Sequence, residues 1–432
     1  MEGEDRISSL PLDVIVSILS NLEVKDAIRT SVLSRSWRHF WTYLPSLRIG
    51  RFIDDDDADF SEIEPVASSW IEGVHHVVSS LRGPLLHFAL SQYFSSASGQ
   101  SALLKSLLDL LLHKGCIETL QLKSRFDRVF IKLPSFHSLK QLELYRCYLV
   151  LPVDFQGFHC LSSLTLCTVQ ISNDDLHLLI HTSNKLTTFK GGFFVPLGVQ
   201  PVSIKLNSPS LNYLEHIIDS SNEKVEVVSA PYLEQAKIGN GALINFENSA
   251  SSNLGLVTST AATVSSLYLD FCVLESLSFA ALPLNSTFPR VRQLNLVLDI
   301  GTMDKTVYDT FIWLLRSMLC LEELNVELND YYDINEVDIL MRELLLKKHN
   351  GLSCLDQTLK RVRIGTENLD SVLTGITLVK FFLLNARVLE LMKVSYWTDS
   401  KVKPSMIEKE LQKAKVSSSK AKVVIIPSER TM

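Results

Sequence analysis

The sequence predicts an α/β fold, in which a short helical unit at the N-terminus precedes an irregular solenoid of strand-and-helix repeats that a C-terminal segment closes. Leucine supplies 71 of the 432 residues, whereas glycine supplies only 17. An L-x-x-L-x-L pattern recurs from Ile117 onward, while apolar residues near the N-terminus recur at helical spacing. Hydrophobic residues make up 46% of the chain and charged residues 21%, a composition typical of globular proteins.

Residues 5–50 are predicted to form three short helices. Ile15, Ile18, Leu19 and Leu22 lie at i, i+3, i+4 and i+7, which gives one apolar stripe. Pro11 suits a first-turn position, because its missing N–H has no partner there. Later apolar positions at similar spacing predict a second helix with Ala27, Ile28 and Val32 and a third with Trp37, Phe40, Trp41 and Leu44. So small a unit buries little core by itself, so a partner surface is expected.

This N-terminal block resembles the F-box domain. The resemblance is carried, at the spacing of that family, by Leu10-Pro11, residues 18–22, Ala27 and residues 31–38. It implies docking onto a Skp-type adaptor and, through it, onto a cullin in a ubiquitin ligase. The adaptor-binding residues that it implies are Leu10, Pro11, Ile15, Ile18, Leu19, Leu22, Val32, Leu33 and Trp37. A generic three-helix bundle with a tryptophan core is the alternative interpretation.

Residues 51–64 are interpreted as an acidic linker, since seven of the eleven residues from Asp54 to Glu64 are acidic. The glycine hinge and the terminal glutamate of a calcium loop are missing there. Residues 65–114 are predicted to form two or three helices that cap the solenoid, with the clearest helix at 102–114. His75 and His76 are adjacent and would point about 100° apart on a helix, which disfavours a shared metal ion.

Residues 115–350 are predicted to be leucine-rich repeats. The template recurs in positions such as Leu139/Leu142/Leu144 and Leu321/Leu324/Val326. The earlier repeats have lengths within the range of that repeat class, and the later repeats are longer. The units at Leu186 and Leu211 lack the last apolar position. Stacked units bury a continuous core and form a curved solenoid, a horseshoe whose strands line the concave side.

The strand positions between the template leucines should form the recognition surface. The candidate target-facing residues are Glu143, Tyr145, Tyr268, Asp270, Asn295 and Glu327. Their charges have no single sign, and the net charge of the whole chain is −6. The surface is therefore expected to bind a protein or a small ligand and not nucleic acid.

Residues 354–428 resemble the FBD domain that follows leucine-rich repeats in many plant F-box proteins. The resemblance rests on residues 359–362, 379–386 and 387–390, with Asn385-Ala386-Arg387-Val388-Leu389 as its most specific string. The pattern alone predicts strand, helix, strand, helix and a last strand at 423–426. The loop at 365–368 departs from the aromatic-glycine sequence of that family.

Catalytic, cofactor and metal sites are not indicated by any motif. The seven cysteines are odd in number and contain no C-x-x-C pair, and no Walker loop, G-x-S-x-G or H-E-x-x-H motif occurs. No apolar run reaches the roughly 18 residues of a membrane span, and no signal sequence is evident. The expectation is a soluble protein of the cytoplasm, the nucleus or both.

The sequence thus predicts the substrate-recognition subunit of a Skp–cullin–F-box (SCF) ubiquitin ligase, a non-catalytic role. A binding scaffold or decoy, which engages adaptor or target without promoting ubiquitination, is the alternative. Hormone sensing is disfavoured, because no basic cluster suited to a carboxylate or an inositol phosphate is evident. The identity of the target cannot be inferred from these patterns.

Overall fold

The computed structural model describes most of the chain. The described residues are 7, 9–50, 68–92, 98–124, 128–193, 202–218, 223–240, 246–282, 287–299, 304–329, 345, 349, 351–366, 369–397 and 404–428. The chain divides into two compact units, Met1–Phe194 and Val195–Met432. The predicted acidic linker at 51–64 and part of the predicted repeats at 330–344 lie outside the described residues.

The N-terminal module begins with two α-helices, α1 at Leu12–Leu19 and α2 at Val24–Arg29. Two 3-10 helices follow, at Thr30–Val32 and Trp37–Tyr43. The predicted second helix is therefore split, and the predicted third helix is of 3-10 type.

Hydroxyl groups account for the change of helix type. The Thr30 hydroxyl donates to the Ala27 carbonyl at 2.7 Å, and the Ser31 hydroxyl donates to the Ile28 carbonyl. Such local bonds compete with the regular α-helical ladder. In the last 3-10 helix the Thr42 hydroxyl donates to the His39 carbonyl in the same way.

The module runs directly into a β-sheet. Strand β1 (Ser46–Gly50) starts two residues after Leu44 and pairs in parallel with β2 (His87–Gln92). The Pro45 carbonyl accepts hydrogen bonds from the backbone N–H groups of Leu86 and His87 at 2.8 and 3.0 Å. The acidic segment at 51–64 therefore follows the first strand of the sheet and does not follow the F-box-like module directly. Its role as a linker stays a prediction.

The first unit also contains a strand where the sequence predicted only a helical cap. Between α3 (Ser68–Ser80) and α4 (Ser98–Lys114) lies β2, which pairs with β1 and β3. The sheet thus starts with β1 and not at residue 115. Strand β2 was missed although Leu85, Phe88 and Leu90 match the L-x-x-L-x-L template, and the register pairs Phe88 with Leu120.

The remaining elements of the first unit continue this sheet. They are β3 (Thr119–Ser124), β4 (Val129–Lys132), β5 (Gln141–Tyr145), β6 (Cys147–Val150), β7 (Ser163–Val169), α5 (Asn173–Thr182) and β8 (Thr188–Phe193). The strand order is β1-β2-β3-β5-β7-β8, while β4 and β6 pair separately.

The second unit has the same strand-and-helix alternation. Its elements are β9 (Val202–Asn207), β10 (Tyr213–Ile218), β11 (Glu223–Ser229), β12 (Gln235–Asn240), α6 (Phe246–Ala261), β13 (Ser266–Leu269), α7 (Phe271–Ser278), β14 (Gln293–Asp299), α8 (Lys305–Ser317), β15 (Glu323–Asn329), α9 (Ser353–Gln357), β16 (Arg361–Thr366), α10 (Leu369–Asn385), β17 (Leu391–Trp397), α11 (Pro404–Leu411) and β18 (Lys422–Ser428). Its main sheet runs β10-β12-β13-β14-β15-β16-β17-β18, and β9 pairs with β11.

The strand register confirms the repeat template. The middle template residue of each unit pairs with the middle residue of the next, as Leu120 does with Leu142 and Leu142 with Leu164. In the second unit of the fold the same row runs through Leu214, Ala236, Leu267, Leu294, Leu324, Val362 and Met392. All of these side chains are buried, so the repeating position is the core row of each sheet.

Two repeats lack the last apolar template residue because other residues fill that place. In β10 the position belongs to His216, which is buried. In β8 it belongs to Gly191, where an added Cβ would lie 3.0 Å from the rings of both Phe189 and Phe193. The two phenylalanines occupy the volume that a leucine fills elsewhere.

The C-terminal segment continues the second sheet, as the pattern predicted. Strands β16, β17 and β18 pair in parallel with their neighbours. Helix α10 begins eight residues before the predicted position 377. Within it, Gly375 lies close to β16, where a Cβ would lie 2.7 Å from the Thr366 side chain. The predicted inward row is buried, namely Val379, Phe382, Leu383 and Ala386.

A glycine at the end of β1 supports a first stability prediction. Gly50 has a φ of +105°, and a Cβ there would lie 1.7 Å from the Ser91 carbonyl oxygen of β2. Gly50→Ala should therefore lower the free energy of unfolding by about 2 kcal/mol or more, through strain and the displaced strand. Urea denaturation would measure it, with Gly73→Ala as control, since a Cβ at Gly73 meets nothing within 4 Å. Equal midpoints for the two variants would contradict the prediction.

Candidate functional site

The N-terminal module exposes an unusual number of large apolar side chains. Val32 is 86% exposed and Leu33 is 67% exposed. Six of the nine predicted adaptor-binding residues are exposed, namely Leu10, Pro11, Ile18, Leu22, Val32 and Leu33. Exposed apolar side chains concentrated in one small module indicate a protein-binding surface.

The other three predicted adaptor-binding residues belong to the core. Ile15, Leu19 and Trp37 are buried, and the Trp37 ring packs edge-on against Phe40 with 5.6 Å between centroids. Helix α1 thus turns alternate parts of one apolar stripe to the core and to the surface. The part of Ile15, Leu19 and Trp37 in adaptor binding stays a prediction. Further exposed apolar side chains were not predicted, namely Ile7, Leu12 and Val14.

In the first unit, the second candidate surface is the polar side of β3 and β5. The Glu143 carboxylate accepts hydrogen bonds from the Gln121 side-chain amide at 2.8 Å and from the Tyr145 hydroxyl at 3.3 Å. The Lys123 ammonium lies 5.4 Å from the centroid of the Tyr145 ring, within reach of a cation–π attraction. Glu143 and Tyr145, which are both candidate target-facing residues, therefore contact each other on one side of the sheet.

The second unit contains a similar cluster on β10, β12 and β13. The Tyr213 hydroxyl donates to Glu215 at 3.1 Å, and Glu215 forms an ion pair with Lys237 at 3.0 Å. The Lys237 ammonium lies 5.3 Å from the centroid of the Tyr268 ring. Burial, together with the nearby Glu215 charge, raises the pKa of Tyr213 to about 12, so this phenol stays a donor at neutral pH.

The same polar side continues over β14 and β15. The Asn325 side-chain amide donates to the side-chain amide oxygen of Asn295 at 2.8 Å. Tyr268 lies beside Asn295 in the register. Glu327 is exposed two residues further along β15. Of the predicted target-facing residues, Tyr268, Asn295 and Glu327 thus lie on one face.

Asp270 has a different position from the one predicted. It follows β13 and is the N-cap of α7, where its carboxylate accepts a hydrogen bond from the Val273 backbone N–H at 3.1 Å. The side chain satisfies a helix terminus. Its prediction as a strand residue of the target-facing surface is corrected.

The positions of Asp270 and Glu327 predict that their substitution changes the free energy of unfolding by different amounts. Asp270→Ala should lower the free energy of unfolding by about 1 kcal/mol, because an N-cap is lost. Glu327→Lys should change it by within about 0.5 kcal/mol, because the side chain is exposed. Parallel urea titrations would test both, and an effect of Glu327→Lys as large as that of Asp270→Ala would be inconsistent with these roles.

Glu215 was missed for a reason visible in the sequence. It lies between template positions, at the same offset as Glu143, but the unit at Leu211 has His216 in place of the last apolar residue. Extending the template to any residue at that position would have found Glu215. Lys237 has the same offset in the complete unit Leu233/Ala236/Ile238, so the template itself indicates it. Arg363 and Lys393 have the same offset in β16 and β17.

Among the described residues, no group of three or more His, Cys, Asp or Glu side chains could hold a metal ion. Burial raises the pKa of the Cys354 thiol to about 12 and that of Cys147 still further, whereas a nucleophilic cysteine needs a lowered pKa. Within the same part of the chain, none of the helices combines the length and the apolar character needed to cross a bilayer.

Comparison with known proteins agrees with this arrangement. Residues 7–49 match the model of the F-box domain, which places an F-box in front of an α/β repeat array. Residues 100–326 match the model described as FBD-associated F-box protein At5g56370, LRR repeats. Since this second match covers more than half of the chain, the chain belongs to that family of FBD-associated F-box proteins with leucine-rich repeats.

The curated relatives carry the same combination of names. F-box/FBD/LRR-repeat protein At1g13570 of Arabidopsis thaliana is 29% identical over 258 residues, which cover 59% of this chain and 59% of the relative. F-box/FBD/LRR-repeat protein At2g04230, from the same plant, is 28% identical over 284 residues, which cover 57% and 60%. FBD-associated F-box protein At5g18780, also of Arabidopsis thaliana, is 50% identical over 66 residues, or 15% of this chain and 14% of the relative. The chain therefore spans about three fifths of the first of these relatives.

Proposed function

We propose that this protein is the substrate-recognition subunit of an SCF ubiquitin ligase. Its F-box docks a Skp-type adaptor and, through it, a cullin, while the repeats bind a target protein. The observation that carries the proposal is the apolar surface of the F-box, formed by Leu10, Pro11, Ile18, Leu22, Val32 and Leu33 beside a buried core. A partner that covers these side chains removes apolar surface from water, which stabilises the complex.

Target binding is assigned to the polar side of the sheet in each unit. Each side has tyrosine, glutamate and lysine side chains that already contact one another, such as Tyr145 with Glu143 and Lys123. Side chains held in place lose less conformational entropy on binding. The chain then contributes proximity and orientation to ubiquitin transfer, and other subunits supply the chemistry.

Reconstitution tests the proposal. The full chain should co-purify with a Skp-type adaptor and cullin, and candidate targets are best captured with a variant whose F-box is disabled, so that they are retained and not degraded. The assembled ligase should ubiquitinate a captured target, and the F-box variant should not. Adaptor binding with target capture but without ubiquitin transfer would support the scaffold or decoy role instead.

A further inference from the structure

Basic side chains that are far apart in the sequence lie in adjacent register positions on the last strands of the second unit. The expectation that the chain has no basic cluster suited to a carboxylate is corrected by this register. Arg363 of β16 pairs with Lys393 of β17. In the next row, Arg361 of β16 aligns with Leu391 of β17, which aligns with Lys422 of β18. Arg361, Arg363, Lys393 and Lys422 are exposed, and together they are named the basic face.

Most of the charge of the basic face is not neutralised by the described part of the chain. Arg361 forms an ion pair with Glu323 at 2.9 Å. Arg363, Lys393 and Lys422, by contrast, have no carboxylate of a described residue within ion-pair distance. Three adjacent like charges repel one another in the free protein, and an acidic partner relieves that repulsion.

The size and surroundings of the basic face limit the partner. Neighbouring strands lie about 4.8 Å apart, so β16 to β18 span roughly 10 Å, the length of about three extended residues. Leu391 is half-buried between Arg361 and Lys422, and the half-buried Val424 lies beside Lys393 on β18. Glu323 and Glu327 border the basic face on β15. A nucleic-acid surface makes about 6–10 phosphate contacts, more than this face can offer, and the chain carries a net charge of −6.

Beside Arg363, two residues further along β16, Gly365 offers no side chain of its own to an approaching chain. A Cβ there would lie 3.4 Å from the Ser395 hydroxyl and 3.6 Å from Glu327. The surface is thus low at this position and higher at the neighbouring long basic side chains. An extended peptide fits such relief, because alternate side chains can reach the cations.

We propose that the basic face binds a short, extended acidic segment of a protein, with carboxylates paired to Arg363 and Lys393. This inference rests on the proposed function, since it assigns the kind of segment by which the ligase would recognise a target. Arg363 offers a planar fork of donors that can bind a carboxylate through two hydrogen bonds.

The test uses the full chain and a fluorescent poly-glutamate peptide of about ten residues, long enough to cross the face with both ends free. Fluorescence anisotropy measures its Kd. Arg363→Glu with Lys393→Glu should weaken binding roughly tenfold, because attraction becomes repulsion. The matched control is Lys415→Glu with Lys420→Glu, which makes the same change in net charge at exposed residues between α11 and β18 and should change Kd by less than about twofold.

Three outcomes would overturn the proposal. They are an equal loss in the control variant, no binding of the acidic peptide by the natural chain, and tighter binding of an oligonucleotide of the same charge than of the peptide. Adaptor binding, measured on the same proteins, separates this result from the proposed function, since Arg363→Glu with Lys393→Glu should leave it unchanged. If the natural chain itself does not bind the adaptor, that result counts against the ligase role and not against the binding of an acidic segment.

Discussion

Substituting aspartate for Ile18 and for Leu33 should abolish binding of a Skp-type adaptor while the chain stays folded. Both side chains are exposed, 43% and 67% respectively, so a charge there meets water in the free protein. In the complex the same charges would be buried without a partner, at a cost of several kcal/mol. Co-purification and calorimetric titration with the adaptor would measure the loss.

Two control variants make this result specific. Val153→Asp introduces the same charge at a fully exposed valine of the first unit, outside the F-box, and should leave adaptor binding unchanged. Leu19→Ala removes a core side chain, and should lower the free energy of unfolding by about 2–5 kcal/mol. Undiminished adaptor capture by the double aspartate variant would refute the assignment of the docking surface.

Removal of residues 355–432 should make the protein insoluble or sharply lower its thermal midpoint. Strand β15 pairs with β16 along six residue pairs, and the truncation would leave that edge bare and prone to association. It would also remove the aromatic packing of α8 on α10, where the Phe311 ring lies 6.3 Å from Phe381 and 6.5 Å from Phe382. Loss of function would then follow from misfolding.

A milder variant distinguishes structural support from independent recognition. Phe382→Ala keeps every strand and removes a fully buried ring, so it should cost about 3–5 kcal/mol. Its effect would appear in the unfolding free energy, with Arg387→Ala as a control, because that side chain is exposed and its only described ion pair joins it to Asp356. A truncated protein that stays monomeric, keeps its midpoint and loses a single partner would show that the C-terminal segment is a separate binding module.

The repeats and the C-terminal segment could be predicted from sequence because one leucine spacing dictates one core row. Leu142, Leu164 and Leu324 all occupy that row, as the template required. The spacing failed where the core is filled differently, as by His216. It holds upstream of residue 117 as well, where Leu85, Phe88 and Leu90 repeat the template at β2. Periodicity reports which side chains are apolar, and it does not report which strands hydrogen-bond.

The functional residues were predicted less completely, since one apolar stripe can serve two purposes. Ile15 and Ile18 are only three residues apart in α1, yet the first is buried and the second exposed. Sequence spacing assigns both to one helix face, and only the packing of the 3-10 helix from Trp37 decides which part of that face remains open. Asp270 shows the same limit, because a polar residue after a strand can cap a helix as readily as it can face a partner.

The direct passage from the F-box into β1 determines how this protein can be recombined with others. Because β1 is hydrogen-bonded to β2 along five residue pairs, the exchangeable N-terminal segment ends at Gly50 and not at Leu44. A chimaera that joins this F-box to another repeat array before Ser46 would deprive the first unit of its outermost strand and leave β2 as the edge. Gene fusions and domain exchanges that preserve function should therefore have their junctions after Gly50, so that β1 stays with the strand to which it is hydrogen-bonded.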